Sequence, residues 1–152
     1  MLPFYEALAG RFHTLHQEIL NDLQSLAPEA LDWIPGPEMN SVSVIIVHLT
    51  GAERFLIGDV IMQDPSNRNR EAEFQVKGMT KADLTRRLED TEAYLVAAFE
   101  KLTLEDLAAA RLHPREGSVS VAWALLHALD HVAEHAGHIQ MTIQLWRQKT
   151  AN

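Results

Sequence analysis

The sequence predicts an all-α protein, an up-down four-helix bundle with long connecting loops, as a single domain over residues 1–152. Three observations predict it. Four long stretches repeat apolar residues every three to four positions, which is the period of an amphipathic helix. The segments between them are rich in Pro, Gly and polar residues. Composition is ordinary for a soluble domain, at 47% apolar and 22% charged, and the length suits one core. Four long helices with connections of this length pack best as a bundle.

The first helix is predicted from about Pro3 to Leu26. Pro3 sits near its first position, where a missing N–H costs little. Leu8, Phe12, Leu15, Ile19, Leu23 and Leu26 mark its buried stripe. Ala27 to Asn40 then carries three prolines and a glycine, and Pro35-Gly36-Pro37 cannot be helical. The second helix starts at Asn40 or Ser41, either of which can cap it, and runs to about Met62. Its β-branched run, Val44 to Val47, also suits a strand. The spacing of Ala52, Phe55, Leu56 and Val60 extends the helical pattern for several turns and decides for helix.

Gln63 to Gly78 reads as a polar loop. Thr80-Lys-Ala-Asp83 is a capping signal, with Asp in place of the usual Glu. It opens a third helix to about Lys101, with Leu84, Leu88, Thr91, Leu95 and Phe99 on its face. A short turn near Leu104 to Leu107 and a loop through Pro114 and Gly117 lead to the fourth helix, about Ser120 to Gln148. Ser-Val-Ser-Val occurs at both 41–44 and 118–121, each time ahead of a histidine-bearing helix, but four residues match too easily to establish a duplication.

Composition excludes several function classes. A net charge of −8 with scattered Lys and Arg disfavours nucleic acid, whose recognition needs a basic patch. No stretch reaches the roughly 20 apolar residues of a membrane span. The start, Met1-Leu-Pro-Phe-Tyr-Glu, lacks the basic-then-apolar order of a signal peptide, so a cytoplasmic location is expected. There is no cysteine, which removes disulfides, thiolate metal sites and a cysteine nucleophile.

The chemistry concentrates on the fourth helix. Four of the eight histidines, His127, His131, His135 and His138, project within about 80° of one another at roughly 100° per residue. Glu134 lies at the edge of that stripe. The stripe borders the apolar one formed by Leu125, Ala128, Val132, Ile139, Ile143 and Trp146, so the imidazoles turn partly inward. Buried polar groups without partners cost about 1–3 kcal/mol each, and one cation bound by two or three imidazoles satisfies several together. One helix cannot close such a site. His48, inside the apolar run Val44 to Leu49, is the best further ligand, and Glu53 is the nearest carboxylate on its helix. His13 and His16 lack an apolar run around them and read as surface histidines. His113, before Pro114, receives no role.

These residues carry a resemblance. The pattern resembles the DinB/YfiT-like superfamily of metalloenzymes, in which one His in a His-Leu context on the second helix joins a His-x3-His-x-Gly-[Gln/His] pattern on the last. His48-Leu49 and His131-Val-Ala-Glu-His135-Ala-Gly-His138 match those motifs, and the likeness extends over nearly the whole chain. The resemblance implies His48, His131 and His135 as metal ligands, with His127 and His138 supporting them. The sequence departs from the commoner pattern at His138, where Gln is frequent, which leaves a fourth ligand or a different pocket chemistry open.

Three neutral ligands on a divalent cation leave coordination positions open, as in catalytic sites. Imidazoles suit zinc, nickel or iron without choosing among them. His138, Glu134 or Glu53 could serve as general base or ligand orienter. The resemblance implies a low-molecular-weight-thiol S-transferase or a related thiol-dependent activity, and frequent homodimers. Metal-dependent hydrolysis of a small molecule is the alternative within enzymes. A non-catalytic, metal-stabilised bundle acting in binding or stress response is the alternative outside them.

Overall fold

A computed structural model describes residues 1–151. It contains helices α1 (Pro3–Ser25), α2 (Val42–Arg54), α3 (Arg70–Glu73), α4 (Lys81–Phe99) and α5 (Val121–Ala151). α2 runs on without a break into a π-helical segment, Phe55–Met62, which stops where Gln63 adopts a left-handed conformation. Strands β1 (Ala110–His113) and β2 (Gly117–Ser120) form one antiparallel hairpin. No described helix is long and apolar enough to cross a membrane.

The predicted start signals operate as read. Ser41, not Asn40, caps α2 by accepting from the Val44 N–H. Thr80 and Asp83 form the reciprocal capping box of α4. The stripes also behave as expected: Phe12, Ile19 and Leu23 of α1 and Leu84, Leu88, Leu95 and Phe99 of α4 are all but fully buried.

The all-α four-helix bundle forms, with one departure from strict up-down order. α1 packs beside α4 and α5, and α2 packs beside the same two, so α1 and α2 face each other across the bundle. Tyr5 Oη donates to the Thr103 carbonyl and Lys81 Nζ to that of Gln24, so α1 and α4 are antiparallel. α2 and α5 are antiparallel too, since His48 meets His131 while Arg111, just before α5, bonds the Ile61 carbonyl. α2 and α4 instead run the same way. Arg87 Nε donates to Thr50 Oγ1, and further along Tyr94 Oη donates to Asp64. The order is up-down-down-up. The connection from Gln63 to Thr80 must therefore travel back along α2, whose two segments of 13 and 8 residues span about 30 Å. That return path lays α3 against α2.

Two further expectations need correction. The loop through Pro114 and Gly117 contains the hairpin. Its strands have only four residues each, too few to show a period, and a two-stranded hairpin is marginal without packing. Gly117, at φ +75°, ends the three-residue loop in the left-handed conformation such loops need. The second correction is His16, which is no surface residue but is fully buried. It falls in the Phe12, Leu15, Ile19 stripe, four residues after Phe12. Its Nε2 lies 3.0 Å from Glu53 Oε1 and its Nδ1 3.2 Å from Glu92 Oε2. Burial alone would lower its pKa, but the bonds to Glu53 and Glu92 reverse this and raise it. His13 is exposed as expected and pairs with Glu92 at 2.7 Å.

Candidate metal centre

α2 and α5 cross so that His48, His131 and His135 meet. His131 Nε2 stands 3.2 Å from His48 Nε2 and 3.2 Å from His135 Nε2. One ligand atom from each of the three lies within 4.8 Å of the others, and among the described residues this is the one group of three or more histidines or carboxylates so placed. Tetrahedral coordination at the usual 2.0–2.1 Å metal–nitrogen distance puts donors about 3.3 Å apart. The spacing therefore suits one shared cation.

Electrostatics agree with geometry. Burial, followed by the neighbouring imidazoles of His135 and His48, pushes His131 down to about 3. Burial and the same kind of crowding push His135 to about 4. Both rings are neutral at pH 7, the state in which imidazole can ligate.

The outer nitrogens explain how the rings are aimed. His48 Nδ1–H donates to Glu73 Oε2 at 2.9 Å, leaving its Nε2 lone pair turned to the cluster, the orientation usual for a metal-binding His. Glu73 is clamped by Arg68 through Nε at 2.6 Å and Nη2 at 2.7 Å. Burial would raise the Glu73 carboxyl, but the hydrogen bonds from Arg68 and His48 prevail and lower it. His135 Nδ1 lies 3.2 Å from His138 Nδ1, and His138 Nε2 is 4.0 Å from Glu134. His131 has no such support. Its Nδ1 is buried without a partner, so its polar neighbours are the two converging Nε2 atoms.

The remaining predicted site residues scatter around this core. His138 and Glu134 sit on the exposed outer side of α5, behind His135. His127 stacks on Trp123 at 4.8 Å, with ring planes 17° apart, in the wall of a cleft that His48 and His131 also line. Glu53 does not join the cluster. Five residues after His48, it is rotated about 140° around α2, and it is buried against His16.

Glu73 and Arg68 are the groups that sequence reasoning missed. They lie within the stretch taken as a polar loop. The available signal was small: Asn69 caps α3 by accepting from the Ala72 N–H, but a four-residue helix shows no period. Gly51 makes room for the carboxylate, since a Cβ there would collide with Glu73 Oε1. Gly→Ala inside a helix normally stabilises by about 0.4–1 kcal/mol. Gly51→Ala should instead displace Glu73 and weaken metal affinity by about 10- to 100-fold, measured by competition with a chelator. Unchanged affinity would show that Glu73 does not set the His48 ring.

A helical bundle with three converging histidines from its second and last long helices is the arrangement that the resemblance to the DinB/YfiT-like superfamily implies. The chain belongs to the family described as "Protein of unknown function (DUF1572)", whose model matches residues 2–150. Among solved structures, it is similar to YfiT from Bacillus subtilis, described as a probable metal-dependent hydrolase with an unusual four-helix bundle topology. That match has 13% identity and TM-score 0.75, over 99% of this chain and 90% of that one. The DinB-like protein YjoA from Bacillus subtilis matches with 16% identity and TM-score 0.70, over 91% and 90%. The colibactin self-resistance protein ClbS, solved in complex with double-stranded DNA, matches with 14% identity and TM-score 0.66, over 90% and 94%. At these identities the likeness is one of fold. No curated protein matches the sequence.

Proposed function

We propose that this chain is a metal-dependent hydrolase of small molecules, with His48, His131 and His135 holding one divalent cation. The observation that carries the reading is the convergence of three imidazole Nε2 atoms at the spacing of a shared ion. A divalent cation on three neutral ligands supplies Lewis acidity and an activated nucleophile at neutral pH. The description of YfiT as a probable hydrolase supports the choice of reaction. In this reading Glu73 aims His48, and His138, backed by Glu134, aims His135. His127, stacked on Trp123, walls the cleft beside them.

A low-molecular-weight thiol in place of water as nucleophile turns the same site into an S-transferase. The test compares the two. Protein loaded in turn with zinc, nickel and iron is assayed against ester, amide and phosphoester panels, and against electrophiles with and without added thiol. Turnover with water alone that disappears on chelation and in His48→Ala supports the hydrolase. Turnover that requires thiol, with a thiol-induced change in the spectrum of a cobalt-substituted form, replaces it with the transferase. Full metal loading with neither activity leaves a metal-stabilised binding bundle.

The DNA in the ClbS complex belongs to that protein. A net charge of −8 favours a small molecule over a phosphate backbone here. The reading includes a cytoplasmic homodimer, for which the exposed Leu112, Leu126 and Met141 offer apolar surface. Sedimentation should then give twice the 17.1 kDa chain mass.

A further inference from the structure

His113 lies outside the metal centre and is aimed into the same cleft. The hairpin places it at the end of β1, paired in register with Gly117. Its Nδ1 accepts from two backbone N–H groups of the tight loop, Arg115 at 3.2 Å and Glu116 at 3.1 Å. Two donors on one ring nitrogen fix the tautomer, because that nitrogen must carry the lone pair and Nε2 must carry the proton. Burial lowers the ring's pKa, so it stays neutral at pH 7. Edge-on contacts with Phe55 at 5.5 Å and Trp123 at 5.8 Å hold its plane.

Among the described residues the Nε2–H has no hydrogen-bond partner. Unlike His131 Nδ1, it is not shut off from solvent. The cleft it lines has a volume of about 380 Å³ and is shared with His48 and His131. That is room for a small molecule, at the lower end of ligand sites. The charge of the wall differs from that of the chain. Its charged side chains are Arg68, Arg70, Arg115 and Glu116, three cations to one anion in a protein of net charge −8. Arg68 is already bound to Glu73, which leaves Arg70 and Arg115 available for an anion.

We propose that His113 is a substrate-positioning residue whose Nε2–H donates to an oxyanion, a carboxylate or phosphate, on a small molecule held in this cleft. The assignment rests on the metal-dependent reading of the adjoining histidines and gives that reading a substrate class. A fixed neutral donor orients such a group without a charge that must be desolvated, and Arg70 and Arg115 supply the attraction.

The test reads binding in the metal-free, full-length protein, so it is separate from metal loading and turnover. Histidine ring nitrogens labelled with ¹⁵N are followed by NMR during separate titrations with acetate and inorganic phosphate. His113 is expected to show the Nε2–H tautomer at pH 7 to 8. Its Nε2–H resonance is expected to shift saturably with at least one of the two anions, and the responding one identifies the group. His113→Phe should weaken that anion by about tenfold, the worth of one hydrogen bond to a charged group. If that variant fails to fold, the wild-type titration decides alone. An Nδ1–H tautomer, or no saturable shift with either anion, overturns the proposal. Failure of the metal reading would show separately, as absent metal by elemental analysis.

Discussion

Replacing His131 and His135 together with alanine is expected to abolish stoichiometric metal binding. The wild-type chain should hold about one divalent ion after equilibration and desalting, and the double variant a small fraction of that. The reason lies in the donor count. His131 Nε2 is the atom shared by both 3.2 Å contacts, so its loss leaves His48 and His135 without their common neighbour. Removing His135 as well leaves one imidazole, which cannot chelate. A metal held by these three side chains would also tie α2 to α5. At a free concentration of 1,000 times its dissociation constant, it should stabilise the fold by about 4 kcal/mol, a gain the variant cannot show. Equal metal content in both proteins would refute the site.

The second large effect is acid lability of the metal-free protein. His131 and His135 have folded-state pKa values of about 3 and about 4, against an ordinary value near 6.5. As pH falls below about 6.5, the unfolded chain takes up a proton at each ring while the folded chain does not. Unfolding is therefore favoured progressively, down to the folded values. Above pH 7 both states are neutral at these rings, and they contribute no slope. Glu73, held low by Arg68 and His48 despite its burial, adds to the loss at the acid end. His16 acts in the opposite sense: its pKa is raised, so its contribution is present below its unfolded value and fades as pH rises. Glu53, raised by burial, acts in the same opposing sense as His16. The contribution of the two lowered rings, on the order of a few kcal/mol between pH 7 and pH 5 in the chelated protein, is therefore read by urea denaturation as a difference between two proteins. The His131→Ala/His135→Ala variant should show a flatter profile, and equal slopes in both would refute the assignment of the pH dependence to these rings.

The two effects are linked. Protons and metal compete for the same Nε2 atoms, so metal loading should weaken over the same acid range.

What was legible in the sequence is local. Helix periods, the Ser41 cap and the Thr80–Asp83 box each depend on residues within a few positions of one another, and all appear in the structure. The spacing of His131 and His135 on one helix face is equally local, and the His-Leu context at His48 completed the three-histidine set through a family likeness.

Other features depended on which elements dock. His16 has no apolar run around it in the sequence, yet it lies in the buried stripe of Phe12, Leu15 and Ile19. Its partners Glu53 and Glu92 come from α2 and α4. Glu53 is near His48 along the chain, but its angle around α2 sends it to the other side of the helix, against His16. Glu73 and Arg68 reach His48 only because α2 and α4 run in the same direction, which brings the connecting segment back over α2. His113 acquires its tautomer from a hairpin too short to show a sequence period.

The sequence by itself determined four helices and a histidine stripe, because helical periodicity and capping are short-range. The tertiary structure decided the helix order, the carboxylate that aims His48, the buried His16–Glu53 pair and the donor on the hairpin. Each of these pairs groups from segments far apart in the chain, and only packing of the core brings such groups within hydrogen-bond distance.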